Sequence, residues 1–132
     1  MKTICTIAPL LFLSLSSLVA AATDKATSLS DAQAAIEANL RTPEGKAFDD
    51  RMGKELVDKH LAPIHQCKQS AGGDLASFWI PLKLDKDGAA QEILLYPTTK
   101  LGACAREALI TDKFLPPPRP GYWVGIYMKL SR

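Results

Sequence analysis

Three cysteines, two histidines and a pair of aspartates ahead of a glycine are the side chains best able to do chemistry here. His60, His65 and Cys67 are all zinc-ligand types. However, the two histidines lie five apart with Pro63 between them, and no fourth ligand follows at a useful spacing. If Cys67 is oxidised it cannot bind metal, so structural histidines are expected and no metal is assigned. Asp85-Lys86-Asp87-Gly88 has the opening of a calcium loop, which would require further oxygen ligands and a closing glutamate. The chain instead runs directly into a strand-like segment, so a hairpin turn is the better reading. A serine nucleophile would need a base and an orienting acid. No G-x-S-x-G occurs, and neither histidine sits in a strand-turn-helix elbow. No spacing singles out a pair of carboxylates. No catalytic residue and no cofactor is assigned, and a non-enzyme is expected. The remaining enzymatic reading, Cys67 working with a histidine, needs a free thiol.

The compartment decides the fate of the cysteines. Lys2 opens a short basic region, and Ile4 to Ala22 is apolar or hydroxyl-bearing throughout. Val19-Ala20-Ala21-Ala22 closes it with the small residues that a signal peptidase reads. Residues 1–22 are therefore expected to be a cleaved signal peptide, with cut after Ala21 or Ala22 and export to the periplasm or beyond. The apolar run is close to the length of a membrane span, so an uncleaved anchor is the competing reading. Cys5 sits too early to be a lipoprotein cysteine and leaves with the signal. Cys67 and Cys104 remain, and an even pair in an exported chain most often forms a disulfide.

Residues 23–132 then make a single domain, and about 110 residues suffice for one modest core. Of 16 basic and 14 acidic side chains only Lys2 lies in the signal, leaving a nearly neutral, interspersed surface. No basic stripe points to nucleic acid, and no acidic tail points to cations.

The elements that must position these residues are readable from periodicity. After a polar leader, Ser30 is expected to cap a helix over Asp31 to Leu40, rich in alanine and therefore a weak contributor to a core. Thr42-Pro43-Glu44 combines three helix-start signals. Phe48, Met52, Leu56, His60 and Ile64 follow at intervals of four, then Cys67, as one face of an amphipathic helix. Pro63 is expected to kink or restart it. Phe78, Ile80, Leu82 and Leu84 alternate with Trp79, Pro81, Lys83 and Asp85 as a half-buried strand, in which Pro81 argues for an edge position or a bulge. Asp85 to Gly88 is the turn into a second strand, with Leu84 facing Ala89, Ile80 facing Ile93 and Phe78 facing Leu95. Thr98 or Thr99 caps a helix whose stripe of Leu101, Cys104, Ala105, Ala108 and Leu109 turns Cys104 inward. Three prolines cross in extended form, and Tyr122 to Leu130 is the last strand. The fold class is α+β: N-terminal helices plus a small antiparallel sheet in β-β-α-β order.

On that pattern Trp79, Trp123, Tyr127, Leu94 and Tyr96 share the sheet face opposite Phe78, Ile80, Val124 and Ile126. Either the helix from Pro43 to Cys67 covers them, or they form an exposed aromatic patch for binding.

The run from Leu82 to Leu130 resembles the C-terminal domain of TonB-type energy transducers. The matching features are Asp87-Gly88, the helix from Leu101 to Leu109, Phe114 with Pro116-Pro117, and the strand opened by Gly121. The paired cysteines are most similar to the two-cysteine variant at the ends of some gliding-motility and envelope proteins. The resemblance covers about residues 65–130. A transducer also carries an uncleaved anchor and a long proline-rich spacer, which are not evident here, so energy transduction is not carried over. What the resemblance implies is a free-standing, exported, non-enzymatic domain that captures an envelope protein or peptide at a sheet edge. The strand from Tyr122 to Leu130 is then the candidate edge, with Trp79, Trp123 and Tyr127 as candidate contact residues. The alternative is a periplasmic inhibitor or immunity-type protein that blocks an enzyme with its aromatic face.

Overall fold

Strand β1, Phe78–Leu84, runs down the middle of a three-stranded antiparallel sheet in the order β2-β1-β3. Its neighbours are β2, Ala90–Ile93, and β3, Tyr122–Met128. This computed structural model describes residues 27–130; the signal-peptide expectation for residues 1–22 lies outside them. In chain order the sheet follows helices α1 (Leu29–Leu40), α2 (Pro43–Glu55) and α3 (Leu61–Ser70), and helix α4 (Lys100–Ile110) intervenes between β2 and β3. The α+β class holds. No described helix is long and apolar enough to cross a membrane.

Pro81 therefore sits in the central strand, not at an edge, and the reason lies in the direction of its missing N–H. Trp79 exchanges both backbone hydrogen bonds with Tyr96, at 2.7 and 2.9 Å, and the Pro81 carbonyl accepts from Leu94 at 2.9 Å. Odd positions of β1 thus turn their polar groups toward the β2 side, and even positions toward β3. The absent donor falls opposite Leu94, one residue past the end of β2, so only that short strand loses a rung. The β3 ladder is continuous, from Phe78 opposite Met128 to Leu84 opposite Tyr122.

The hairpin register also differs from expectation. Leu82, not Ile80, faces Ile93, and Leu84 faces Ala90 across an irregularity between Lys83 and Leu84. At Leu82 the displacement is two residues, which keeps Ile93 on its expected face. Beyond the irregularity, Ala90 takes the place expected for Ala89. The Asp85 carboxylate accepts from the N–H groups of Asp87 and Ala89 at 2.8 and 2.9 Å, which tightens the turn. Gly88 takes a φ of +85°, and a Cβ there would strike the Phe114 carbonyl, whose own N–H donates to Gly88 O at 2.9 Å. The segment leaving α4 is thereby stitched to the hairpin.

The helices obey their signals with two adjustments. Ser28, not Ser30, caps α1, its hydroxyl accepting from Asp31 N–H at 3.1 Å. Thr27 ahead of it is held by the Glu92 carboxylate. Thr42 and Thr99 cap α2 and α4. Between α2 and α3 the chain takes a π-helical turn over Leu56–His60, and α3 begins at Leu61. Pro63 cannot donate to the Lys59 carbonyl, and that residue lies within the widened turn.

One core fills the space between the sheet and α2, α3 and α4. Phe48, Ile64, Phe78, Ile80, Leu82, Leu84, Leu101 and Leu109 are fully buried in it. The disulfide Cys67–Cys104 ties α3 to α4 there, with Cα atoms 5.7 Å apart. The opposite sheet face is covered by α1, through Ala32, Ile36 and Leu40. The helix from Pro43 to Cys67 does not cover that face, and α1 is no marginal element. Its alanines allow the close approach that brings it onto the Trp79 and Trp123 rings.

Candidate functional site

β3 is an edge strand, and the same alternation that accommodates Pro81 tells which of its groups are open. Tyr122, Val124, Ile126 and Met128 pair with the even positions of β1. Trp123, Gly125 and Tyr127 consequently turn their N–H and C=O groups away from the sheet. The first of these sites is partly closed. Asn39, buried at the end of α1, donates from Nδ2 to Trp123 O at 2.9 Å, and the Arg119 guanidinium donates to Asn39 Oδ1. Among the described residues no hydrogen bond reaches Gly125 or Tyr127 on the open side. Four backbone groups therefore stand ready for another strand.

The helices frame that opening. α1 and α2 meet at a tight corner around Asn39 and Thr42, beside the start of β3. Farther along, α2 leaves the strand and a groove of about 190 Å³ opens. Met52, Gly53 and Leu56 line one wall, and Val124 to Tyr127 line the other. Asp49 sits at the mouth. With Asp50, Asp58 and Lys54 it continues into a broader, shallow depression on the outer side of α2. Among the described residues none of the three carboxylates has an ion-pair partner. Partial burial, with repulsion from Asp50 added, holds the Asp49 carboxyl above the usual carboxylate range.

The three aromatic residues singled out in the sequence lie on one face but in different surroundings. Trp123 is 7% exposed beneath α1, with Lys83 Nζ 5.9 Å from its ring centre. Trp79 is half-buried; its indole nitrogen would lie 2.9 Å from a Cβ at Gly125, so that glycine makes room for the ring. Tyr127 is 66% exposed. Trp79 pairs across the sheet with Tyr127 on one side and Tyr96 on the other, so three aromatic side chains form one cross-strand row. The row lies at the end of the sheet where Tyr96 and Tyr127 are open to solvent.

The residues considered for metal or nucleophilic chemistry are not brought together. His60 is buried and its Nδ1 lies 2.7 Å from Asp112 Oδ2, while His65 is exposed and Cys67 is in the disulfide. Among the described residues no group of three or more His, Cys, Asp or Glu side chains is arranged to hold a metal ion. The Cys67 sulfur, bonded to Cys104, is not a free nucleophile.

Two buried polar contacts had no signal in the sequence. The His60 ring packs on Phe114 at 4.6 Å between centres, and its Nε2 is buried without a partner among the described residues. Glu55 accepts from Leu115 N–H at 2.7 Å and from Lys59 at 3.2 Å. Together they clamp the stretch between α4 and β3 onto the π-turn. Asn39 closes part of the edge in the same unannounced way, since an asparagine near a helix end reads as an ordinary polar residue. No protein-family model, no curated protein and no solved structure matches this chain, so the site stands on its own geometry.

Proposed function

We propose that this chain is an exported, non-enzymatic periplasmic binding domain that captures an envelope protein or peptide by adding its strand to the open edge of β3. The observation that carries the reading is the free pair of positions, Gly125 and Tyr127, beside a groove flanked by α2. Main-chain hydrogen bonds supply affinity in such complexes, and alternate side chains of the guest supply specificity. The Cys67–Cys104 disulfide supports an oxidising compartment. The chain order β1, β2, α4, β3 supports the TonB C-terminal-like reading, in the two-cysteine, free-standing form.

The test is a pull-down from envelope extract with the wild-type domain, Tyr127→Val and Tyr127→Pro. Proline is tolerated at an edge position whose N–H faces outward, yet it removes that donor. Edge capture predicts that Tyr127→Val keeps its partner and Tyr127→Pro loses it. The exposed row of Tyr96, Trp79 and Tyr127 favours a second reading, a periplasmic inhibitor acting through its aromatic face. In that case Tyr127→Val loses the partner as fully as Tyr127→Pro does.

A further inference from the structure

We infer that the strand accepted by β3 carries a lysine or arginine at the position facing α2, so that the guest is a cationic extended segment. The inference rests on the edge reading above and adds the chemistry of the guest. A strand laid against Gly125 and Tyr127 places alternate side chains on the two faces of the sheet. Those on the face away from α1 enter the groove between α2 and β3. Met52 and Leu56 offer it an apolar wall, and Asp49 stands at its mouth with Asp50 and Asp58 beyond. An apolar stem ending in a cation matches that sequence of surfaces, because the stem packs while the head stays at the wet rim. A carboxylate in the same place would meet Asp49 and Asp50 at close range.

The charges also argue against the simplest rival, a second copy of this chain. Antiparallel pairing of two β3 edges relates the copies by a two-fold axis normal to the sheet. Both α2 helices then lie on the same face of the joined sheet, one on either side of the seam. Asp49 and Asp50 of each copy would face their counterparts, and like charges opposed across an interface suppress the pairing. Lys54 is the one cation lining the depression, against three carboxylates. The unpaired carboxylates thus protect an exposed edge from self-association while leaving it open to a guest of opposite charge.

Three blocked peptides of alternating threonine and valine, differing only in a central lysine, glutamine or glutamate, test this. Each is titrated into the ¹⁵N-labelled exported chain at low salt, and the backbone amides of Gly125 and Tyr127 are followed by NMR. The lysine peptide is expected to shift both amides and to bind about fivefold more tightly than the glutamine peptide. The glutamate peptide is expected to be weakest. In Asp49→Asn/Asp50→Asn the ratio of lysine-peptide to glutamine-peptide affinity should fall to nearly one. Equal binding of all three at Gly125 and Tyr127 overturns the cation preference and leaves edge capture standing. A lysine preference that survives the double substitution, or that shifts amides elsewhere, also overturns it. If no peptide shifts either amide, edge capture fails and the cation inference fails with it.

Discussion

Trp123 and Tyr127 look equivalent in the sequence, four residues apart on one strand face, yet the structure separates their roles. Trp123 lies under α1 and Tyr127 stands in solvent. Removing a buried tryptophan ring costs about 3 to 5 kcal/mol, whereas an exposed side chain outside special geometry changes stability by about 0.5 kcal/mol or less. Urea unfolding of Trp123→Ala and Tyr127→Ala should show that contrast. Equal losses would mean that α1 does not cover Trp123. The two shifted aspartates give opposite pH behaviour. Hydrogen bonds from Ala89 and Asp87 hold the Asp85 carboxyl below its ordinary range. Its contribution to stability is therefore complete above the unfolded value and fades as pH falls through the lower folded one. Asp85→Ala should weaken the fold at neutral pH, with the gap closing below about pH 4. Asp49 is shifted upward by burial, so its charge opposes folding at neutral pH and the penalty lifts on acidification. Asp49→Asn should raise the urea midpoint at neutral pH and lose that advantage in acid. The cysteine pair was legible because the cysteine count and the oxidising compartment expected for an exported chain both bear on side-chain chemistry alone. Asn39, Glu55 and His60 were not, because each finds its partner some 50 to 84 residues away in sequence.

Elements were read best where one periodic signal had one cause. The stripe at intervals of four carried more information than a simple helix. In a regular α-helix a step of four residues drifts by about 40°, which would carry Ile64 well away from the face of Phe48. The π-turn at Leu56–His60 widens the spiral and returns His60 and Ile64 to the core. Pro81 misled because the usual rule concerns the lost donor, while its cost depends on which neighbour that donor would have served. The hairpin register slipped by two because the irregularity at Lys83 and Leu84 follows from turn geometry that alternation does not encode. The rank of α1 was missed for a physical reason too. Small side chains bury little area of their own, but they let larger rings on the facing sheet bury theirs. α3 and α4 depend on their cross-link: the disulfide spans 37 residues, and the loss of that constraint should cost about 4 kcal/mol. Cys67→Ala/Cys104→Ala should accordingly show a much lower urea midpoint under non-reducing conditions. A midpoint equal to wild type would mean that the cross-link constrains nothing.

Among the described residues, helices cover both faces of the sheet, and β3 leaves Gly125 and Tyr127 unpaired along its outer edge. β2 is short and ends against Pro81, while β3 is long, regular and open at Gly125 and Tyr127. Asn39 sets the start of that opening, so Asn39→Ala should free the Trp123 carbonyl, lengthen the accepting edge and cost about 1 to 2 kcal/mol of stability. Tighter guest binding alongside weaker folding would register that trade, and unchanged guest binding would show that Asn39 does not limit the edge. The most direct measurement of the proposed edge capture is amide hydrogen exchange at Gly125 and Tyr127, free and with a captured guest bound. Strand addition predicts that both amides exchange quickly in the free chain and become strongly protected in the complex, while amides on the exposed face of α1 are unchanged. A stable complex in which Gly125 and Tyr127 still exchange as in the free chain would contradict it.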